Sequence, residues 1–551
     1  MSLRRPLARL RTLGLLATAA ALPLSAATVV ATTAPAAAAG VETVVGACPA
    51  GLPVTNAACG KTYTTAAAST GLQEIRGEDR YATAVAAART GFPTADVVVL
   101  VSGEDAHLVD ALSAAPLARR LAAPIVLTAR GALPQATADY LAQRRPAAVL
   151  AIGGEPSVST AVLDRVRALG VASVGRIAGG DRYSTSAAVA AFVTGGTHAW
   201  VASGDSGHLV DALAAAGPAA RLGEPLVLAP VTGTADAAAQ LRAAGTTSTT
   251  VVGGENAVGD AVAGQFPTAR RTSGADRFAT AKAVAEESVT RGVARGDVLV
   301  SNGEDDHLVD ALAAAPLGRV TLLTGDAGAG TSTVTAWLAG GQDRTTFVGA
   351  AADDLVCWQV ADCTRVASTD VDGDGARDDV ALAGRAGDET QQLRVRADGT
   401  VRTVTVDTLA SAHSSPWVGA APLDDVAGDE LVVLSEVGAH AERNTVLTWR
   451  NDALVAEAAP DPRWDRGSWF VDGSANLNTG ITWVSPGHLI VRDTDVDDSG
   501  AHLIGTTQAY RSRNGVWAAD GAATTVVFAA DAQIPDEYSG WHVPGLPTYG
   551  S

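Results

Sequence analysis

The chain is poor in aromatic residues and in lysine, and it carries a large excess of negative charge. Aromatic residues make up 4% of its 551 residues, two of its 40 basic residues are lysine, and the formal net charge is −19. Such an acidic chain is not expected to bind nucleic acid. Hydrophobic residues still make up 47% of the chain, enough for buried cores, and this length predicts about three to five domains.

Long apolar runs are absent except near the N-terminus. Residues 1–39 hold four arginines and no acid, an apolar run at Leu13–Leu24, and a small-residue stretch that ends at Ala37–Ala39. This pattern is typical of a secretory signal peptide, and the run is shorter than the ~20 residues of a membrane span. A membrane anchor is the alternative. We therefore expect a secreted protein without a transmembrane segment after signal cleavage.

Cysteine is scarce, and its four copies form two pairs that are close in sequence. Cys48 lies near Cys59, and Cys357 lies near Cys363. Four cysteines allow three connectivities. In the oxidising compartment that a signal peptide implies, we predict the two local disulfides, with free thiols as the alternative. No Cys/His spacing indicates a zinc site.

Two sequence motifs recur three times in the same order. The copies of the first, RGEDRYAT, AGGDRYST and SGADRFAT, begin at Arg76, Ala178 and Ser273. The second, HLVDAL, begins at His107, His208 and His307. The copies are 102 and 95 residues apart for the first motif and 101 and 99 residues apart for the second. Recurrence at a nearly fixed period predicts tandem structural repeats.

Each repeat alternates short apolar strands with helical segments, which predicts a parallel sheet covered by helices. We place an N-terminal extension at 40–69 and the repeats at 70–176, 177–272 and 273–355, called repeats 1, 2 and 3 below. In repeat 1 we predict strands at Val97–Val101, Ile125–Leu127 and Val149–Ile152, and helices at Ala82–Arg89, His107–Leu121 and Pro134–Arg144.

The two motifs resemble the type 2 cell-wall-binding repeat (CWB2) of bacterial surface proteins, which carries R-[IL]-x-G-x-D-R-[YF]-x-T-A and D-A-L-[SA]-A-x-P-L-A. The resemblance covers about residues 70–355. It implies an α/β fold of three Rossmann-like modules in a pseudo-threefold arrangement, and non-covalent attachment to an anionic secondary cell-wall polymer or peptidoglycan. Two features depart from the family: His-Leu-Val precedes Asp-Ala-Leu where Phe-Pro is more usual, and Asn302 replaces serine.

Our candidate ligand site is the loop that precedes each HLVDAL motif and follows a predicted strand. It contains Ser102-Gly103, Ser203-Gly204 and Asn302-Gly303. The carboxyl end of a parallel strand, followed by a helix N-terminus, suits an anionic ligand. The acids in these loops oppose an anion unless a divalent cation bridges the two. Further candidates are Arg80, Arg182 and Arg277, because arginine binds anions bidentately. The alternative is that these arginines stabilise the fold and that the aspartates before them cap helices.

The HLVDAL motif places a histidine three residues before an aspartate, so both can lie on one face of a helix. Metal pairs use this spacing, but two ligands are incomplete, and we favour a hydrogen-bonded His–Asp pair. The protease-like Gly204-Asp205-Ser206-Gly207 occurs in one copy of three, and no catalytic constellation is found. We therefore predict that the chain is not an enzyme.

The C-terminal region, 356–551, is more acidic than the repeats. Residues 353–551 carry 13 basic and 31 acidic residues, against 22 and 27 in 71–352. A loop with glycine at position 6 carries aspartate at positions 1, 3, 5 and 9, namely Asp370, Asp372, Asp374 and Asp378. This spacing predicts a Ca²⁺ site that is not an EF-hand, because position 12 is alanine. A solvated acidic turn is the alternative, and weaker acidic stretches follow at 424–430 and 493–498.

Hairpin signals follow each acidic stretch, which predicts an all-β domain. They lie at Asp398-Gly399, Asn451-Asp452 and Asn514-Gly515. The region resembles the FG-GAP/VCBS repeats of integrin-like β-propellers, whose blades carry D-x-D-x-D-G calcium loops. It is short for a closed propeller, so a partial propeller and a sandwich both remain open.

Together these patterns predict a secreted, non-catalytic cell-surface protein. The repeats would anchor it to a wall polymer, and the Ca²⁺-stabilised β domain would serve adhesion through a carbohydrate or protein ligand. Proteins with such repeats often couple them to wall hydrolases. One alternative is therefore an N-acetylmuramoyl-L-alanine amidase or its modifier, and another is a calcium-dependent carbohydrate-binding adhesin.

Overall fold

A computed structural model describes most of the chain after the predicted signal peptide, which lies outside the described residues. The described ranges are 43–64, 71–193, 195–305, 307–325, 329–358, 360, 362–385, 387–408, 415–438, 440–464, 468–474, 477–529 and 532–548. Within these ranges no helix is both long enough and apolar enough to cross a membrane.

The N-terminal extension forms a small antiparallel hairpin of β1 (Thr43–Val45) and β2 (Thr62–Thr64). A disulfide joins Cys48 to Cys59 between these strands. A second disulfide joins Cys357 to Cys363, where repeat 3 passes into the C-terminal region. Both predicted local bridges are therefore confirmed.

The three repeats have the same order of strands and helices. Repeat 1 contains β3 (Gly71–Ile75), α1 (Arg80–Gly91), β4 (Val97–Ser102), α2 (Ala114–Arg120), β5 (Ile125–Thr128), α3 (Gln135–Arg144), β6 (Ala148–Ile152), α4 (Thr160–Ala168) and β7 (Ser173–Ile177). Repeat 2 contains α5 (Arg182–Ala190), β8 (His198–Ser203), α6 (Leu209–Leu222), β9 (Leu226–Ala229), α7 (Asp236–Ala243), β10 (Ser248–Val252), α8 (Asp260–Ala263) and β11 (Ala269–Thr272). Repeat 3 contains α9 (Arg277–Thr290), β12 (Asp297–Asn302), α10 (Leu308–Ala314), β13 (Val320–Thr324), α11 (Thr331–Leu338), β14 (Arg344–Val348) and α12 (Ala350–Asp353).

Each repeat builds a four-stranded parallel sheet, which confirms the predicted α/β class. The strand orders are β5-β4-β6-β7, β9-β8-β10-β11 and β13-β12-β14-β3. The first two sheets take all four strands from their own repeat. The third takes its last strand from the start of the chain, because β3 pairs with β14 and sets Ile75 opposite Val348. The first strand of repeat 1 therefore closes the three repeats into a ring.

The HLVDAL motifs pack the repeats around a shared core. Their equivalent leucines, Leu112, Leu213 and Leu312, are all fully or nearly fully buried and belong to one hydrophobic cluster. Alanine-rich helices let the three repeats approach closely here. A single core of this kind makes the repeats mutually dependent in stability.

The helix predicted over His107–Leu121 is divided in the structure. A 3₁₀ segment runs over Asp105–Ala111, and α2 begins only at Ala114. In repeat 2 the same region is one unbroken helix, α6. Ser113 stands where repeat 2 has Ala214, and serine is a weaker helix former than alanine.

The C-terminal region is all-β and antiparallel apart from one short parallel pairing. Its strands are β15 (Cys363–Thr369), β16 (Asp378–Ala383), β17 (Thr390–Ala397), β18 (Thr400–Asp407), β19 (Trp417–Ala421), β20 (Glu430–Val437), β21 (Ala441–Arg450), β22 (Ala453–Ala456), β23 (Trp469–Gly473), β24 (Asn478–Ser485), β25 (His488–Val496), β26 (His502–Arg513), β27 (Val516–Ala519), β28 (Thr524–Ala529) and β29 (Gly540–His542). Strands β15–β18 form one sheet, and β19–β29 form a second, in which β29 runs parallel to β24.

The three predicted hairpin turns are confirmed. They connect β17 to β18, β21 to β22, and β26 to β27. Both central residues of each turn have positive φ, at 47° and 73°, 51° and 62°, and 53° and 74°. Asparagine, aspartate and glycine tolerate this conformation, and it matches the twist of the flanking strands. The strand orders in these two sheets establish an all-β domain. They identify it neither as a propeller nor as a sandwich.

Ion pairs join repeat 1 to the first C-terminal sheet. Arg76 Nη1 lies 2.9 Å from Asp379 Oδ2, and Arg365 Nη2 lies 2.9 Å from Asp379 Oδ1. The Asp379 side chain is fully buried. Beside it, Arg396 pairs with Glu74 of β3. The strand that closes the ring therefore also carries the contact with the β domain.

Candidate functional site

The aspartate of the first motif caps a helix in every repeat. Carboxylate Oδ1 atoms of Asp79, Asp181 and Asp276 each accept a hydrogen bond at 2.7 Å from the backbone N–H three residues later. Such caps satisfy backbone donors that the first helical turn leaves unpaired. The structural interpretation of these aspartates is confirmed.

The arginine of the first motif binds the loop of its own repeat. Arg80 donates to the carbonyl of Gly103 at 2.7 Å, Arg182 to that of Gly204 at 2.7 Å, and Arg277 to that of Gly303 at 2.5 Å. Arg80 and Arg277 also pair with Asp105 and Asp305 at 2.6 and 3.2 Å. Each arginine thus positions the candidate loop and keeps part of its guanidinium at the surface.

The loop side chains predicted to contact ligand are buried. Ser102, Ser203 and Asn302 are at most 3% exposed. Each accepts a hydrogen bond from the backbone N–H two residues later, at 3.2, 3.1 and 2.8 Å. These buried side chains hold the loop in its conformation. A ligand bound at the loop would contact the outer surface of the loop.

Glycine is required beside the aromatic residue of the first motif. A Cβ atom on Gly103 would lie 3.0 Å from the Tyr81 ring, and one on Gly204 would lie 2.6 Å from the Tyr183 ring. Gly303 is constrained by Leu323, 3.2 Å away. The loop glycines therefore allow the start of each helix to pack against the end of the strand.

The two motifs meet across the boundaries between neighbouring repeats. A cleft of about 660 Å³ between repeats 3 and 1 is lined by the Arg76–Arg80 segment, the Gly103–Asp105 loop, His307 and Asp310. A smaller cleft of about 280 Å³ between repeats 1 and 2 is lined by Gly179–Arg182, His107 and Asp110. We call these the inter-repeat clefts.

The same pairing of motifs recurs between repeats 2 and 3. Burial raises the pKa of Asp211 to about 6, while the nearby His208 and Arg277 oppose this rise. Arg277 belongs to the first motif of repeat 3, so it lies near the second motif of repeat 2. Each boundary of the ring therefore combines the first motif of one repeat with the second motif of the preceding repeat.

The motif aspartates contact a glycine turn. Gly153, Gly253 and Gly349 have φ of 109°, 94° and 58°. A Cβ atom on any of them would lie within 3.2 Å of the carboxylate of Asp110, Asp211 or Asp310, respectively. Asp110 accepts from the Ser157 hydroxyl, and Asp310 accepts from Ala350 N–H at 3.4 Å.

Chemically, the inter-repeat clefts combine acid, guanidinium, imidazole and aromatic groups at the protein surface. In the first cleft the Asp105 side chain is 56% exposed, and the Arg80 side chain is 29% exposed. Tyr81 is half-buried at the edge of the first cleft. Such a set offers donors and acceptors to hydroxyl groups and a ring for an apolar sugar face.

The predicted calcium loop brings three of its four aspartates together. Carboxylate oxygens of Asp370, Asp372 and Asp374 lie within 4.8 Å of one another. Asp378 is not in this group, and its Oδ2 atom accepts from the N–H groups of Val371 and Asp372 at 2.8 and 3.3 Å. The three grouped side chains supply the oxygen ligands that Ca²⁺ prefers, so the donor set fits this ion.

Comparison with known proteins identifies the class of the repeats. The family model of cell wall binding domain 2 (CWB2) matches residues 74–163, 176–263 and 271–350. Each of the three repeats therefore matches the CWB2 family model, as the sequence motifs predicted.

Two curated Bacillus subtilis (strain 168) proteins are similar to part of the chain. N-acetylmuramoyl-L-alanine amidase LytC is 32% identical over 263 residues, which cover 47% of this chain and 51% of that protein. An amidase enhancer is 34% identical over 152 residues, which cover 28% of this chain and 21% of that protein. The chain thus spans about half or less of the length of these relatives.

Solved structures with similarity to the chain include Cwp6 and Cwp8 from Clostridium difficile. Cwp6 aligns with a TM-score of 0.47 and 24% identity, covering 54% of this chain and 48% of its own. Cwp8 aligns with a TM-score of 0.45 and 26% identity, covering 51% and 49%.

Proposed function

We propose that the chain is a secreted cell-surface protein that its three CWB2 repeats hold non-covalently on an anionic wall polymer. The observation that carries this proposal is the meeting of both recurrent motifs at each boundary between repeats. Two further observations support it. The clefts are at the surface, and the repeats carry nearly equal numbers of acidic and basic residues, because the excess of acidic residues lies in the C-terminal region.

A ring with clefts between its repeats suits a polymer with a repeating unit. A polymer that occupies one cleft is held near the other, so the later contact forms at high effective concentration. Such multivalency raises overall affinity by about 10²–10⁴ without any new type of contact. Loss of one cleft should therefore weaken attachment, and loss of both should abolish it.

The histidines of the second motif provide a test of wall binding. Full-length protein with His107→Ala, His208→Ala and His307→Ala together is expected to lose at least about 100-fold in affinity for native walls in co-sedimentation, because the second motif changes at all three boundaries at once. Single variants should lose less. His488→Ala in the β domain is the matched control and should pellet like the wild type. Unchanged pelleting of the triple variant, or of wild type with walls stripped of secondary polymers, would contradict the proposal.

The proposal assigns no reaction to the chain, although the matched relatives are an amidase and an amidase enhancer. Because the chain covers about half of that amidase, its activity is a separate hypothesis. A zymogram with wall substrate distinguishes the two functions, since a clearing band at the mass of the full-length protein would establish a hydrolase.

For the C-terminal domain we propose adhesion, with Ca²⁺ bound by Asp370, Asp372 and Asp374. A calcium-dependent carbohydrate ligand is the alternative to a protein ligand. The Asp374→Asn variant is expected to bind one Ca²⁺ fewer per chain than the wild type in calorimetric titration, because an amide replaces a charged ligand. Asp520→Asn, in an exposed pair with Arg511, is the control. Equal stoichiometry in all three proteins would refute the site.

A further inference from the structure

A second acidic group lies inside the C-terminal sheet, apart from the calcium loop. It consists of Asp424 between β19 and β20, Glu430 at the start of β20, and Glu457 directly after β22. Their exposed fractions are 0%, 2% and 5%. One carboxylate oxygen from each lies within 4.8 Å of the other two. Three carboxylates are thus concentrated where water is excluded.

Hydrogen bonds and an ion pair satisfy both carboxylate oxygens of Glu430 and both of Asp424. Glu430 Oε2 accepts from Leu423 N–H at 2.6 Å, and its Oε1 accepts from the Thr448 hydroxyl at 3.0 Å. Asp424 Oδ1 accepts from Val426 N–H at 2.6 Å, and its Oδ2 pairs with Arg450.

The remaining two carboxylate oxygens of the group are those of Glu457. Its Oε1 accepts from the Trp517 indole N–H at 2.6 Å. Its Oε2 is buried and has no hydrogen-bond partner among the described residues. A buried acceptor without a partner is unusual, because most such groups in folded proteins are satisfied by protein, water or an ion. Glu457 belongs to the group of three, and so its unpartnered oxygen points to something that the protein alone does not supply.

The charges lead to the same conclusion. Three carboxylates face one guanidinium, that of Arg450, which leaves a formal charge of −2 when all are ionised. One divalent cation would neutralise the group and satisfy the Glu457 oxygen.

We propose that Asp424, Glu430 and Glu457 form a second divalent-cation site, selective for a hard ion such as Ca²⁺. All of the donors are oxygen atoms, which hard cations prefer to nitrogen or sulfur ligands. The site joins the β19–β20 loop to the end of β22. Through Trp517 it also reaches β27, so an ion here fastens together two distant parts of the large sheet. The site is independent of the adhesive role assigned to the domain.

Calcium titration of the full-length protein after chelation tests this site. Glu457→Gln keeps the shape of the side chain and removes its charge. We expect this variant to bind one Ca²⁺ fewer per chain than the wild type by calorimetry. Ca²⁺ should raise the Tm of the wild type and of Asp374→Asn through this site, and Glu457→Gln should lose that part of the rise. The comparison with Asp374→Asn separates this site from the calcium loop, because failure of either site leaves the other countable.

A shared proton between Glu457 and Glu430 is the rival explanation of the buried group. In that case Glu457→Gln would bind as much Ca²⁺ as the wild type, because its amide replaces the proton donor. That result would overturn the proposal. A second measurement needs no change at this site: Tb³⁺ added to Asp374→Asn protein should luminesce on tryptophan excitation, because Trp517 contacts Glu457, and excess Ca²⁺ should quench it. Absence of this signal would also overturn the proposal.

Discussion

Replacement of Ile75 by alanine is expected to lower the free energy of unfolding by about 3 kcal/mol. Ile75 is 3% exposed, and it packs against Leu299 and Val348 of repeat 3. The substitution leaves a cavity in the sheet of a repeat that begins about 200 residues later in the chain. Urea denaturation of the full-length protein measures the loss.

Leu72 offers a matched control on the same strand. Its side chain is 53% exposed, so Leu72→Ala should change stability by less than about 0.5 kcal/mol. Hydrogen exchange then locates the effect: Ile75→Ala should reduce the protection of β14 amides at 344–348. If protection falls in β4 and β6 of repeat 1 and is retained in β14, the ring is not closed by β3.

Asp379→Ala is expected to cost about 3–5 kcal/mol, because it removes a fully buried carboxylate from between Arg76 and Arg365. Both guanidinium groups would then lie at the contact between repeat 1 and the β domain without their common partner. We expect the urea transition to move to lower denaturant concentration, as followed by tryptophan fluorescence, since eight of the ten tryptophans lie from Trp358 onward.

The exposed pair of Asp362 with Arg385 provides the comparison for Asp379. Its atoms are 2.8 Å apart, but the side chains are 47% and 77% exposed. Asp362→Ala should therefore cost less than about 1 kcal/mol, as is usual for solvated ion pairs. Equal losses for the two variants would show that the contact between the domains contributes little to stability.

Local features of the fold could be predicted from the sequence because their causes are local. The aspartate caps depend on a side chain and a backbone N–H three residues apart, and the hairpin turns depend on residues such as Asn514 and Gly515 that tolerate positive φ. The parallel sheets followed from short apolar runs such as Val97–Val101. In each case a few adjacent residues carry the whole signal.

The missed features depend on pairing between distant residues. Gly71–Ile75 reads GLQEI, without the β-branched alternation of a strand, and its partner β14 lies about 270 residues later. Similarly, the two motifs lie about 30 residues apart within a repeat, yet they form clefts with the motifs of neighbouring repeats. Glu457 has no acidic neighbours in sequence, so nothing local indicated that it completes a buried group.

The closing strand also determines when the ring can be completed during synthesis. The ribosome releases β3 before any part of repeat 3 exists, and its partner β14 follows about 270 residues later. At about 5–20 residues per second, translation of that interval takes roughly 14–55 s. Throughout this time Ile75 has no partner strand. The first strand of repeat 1 is thus among the last strands of the repeats to pair, so truncated chains that end before Val348 are open rings, exposed to non-native association.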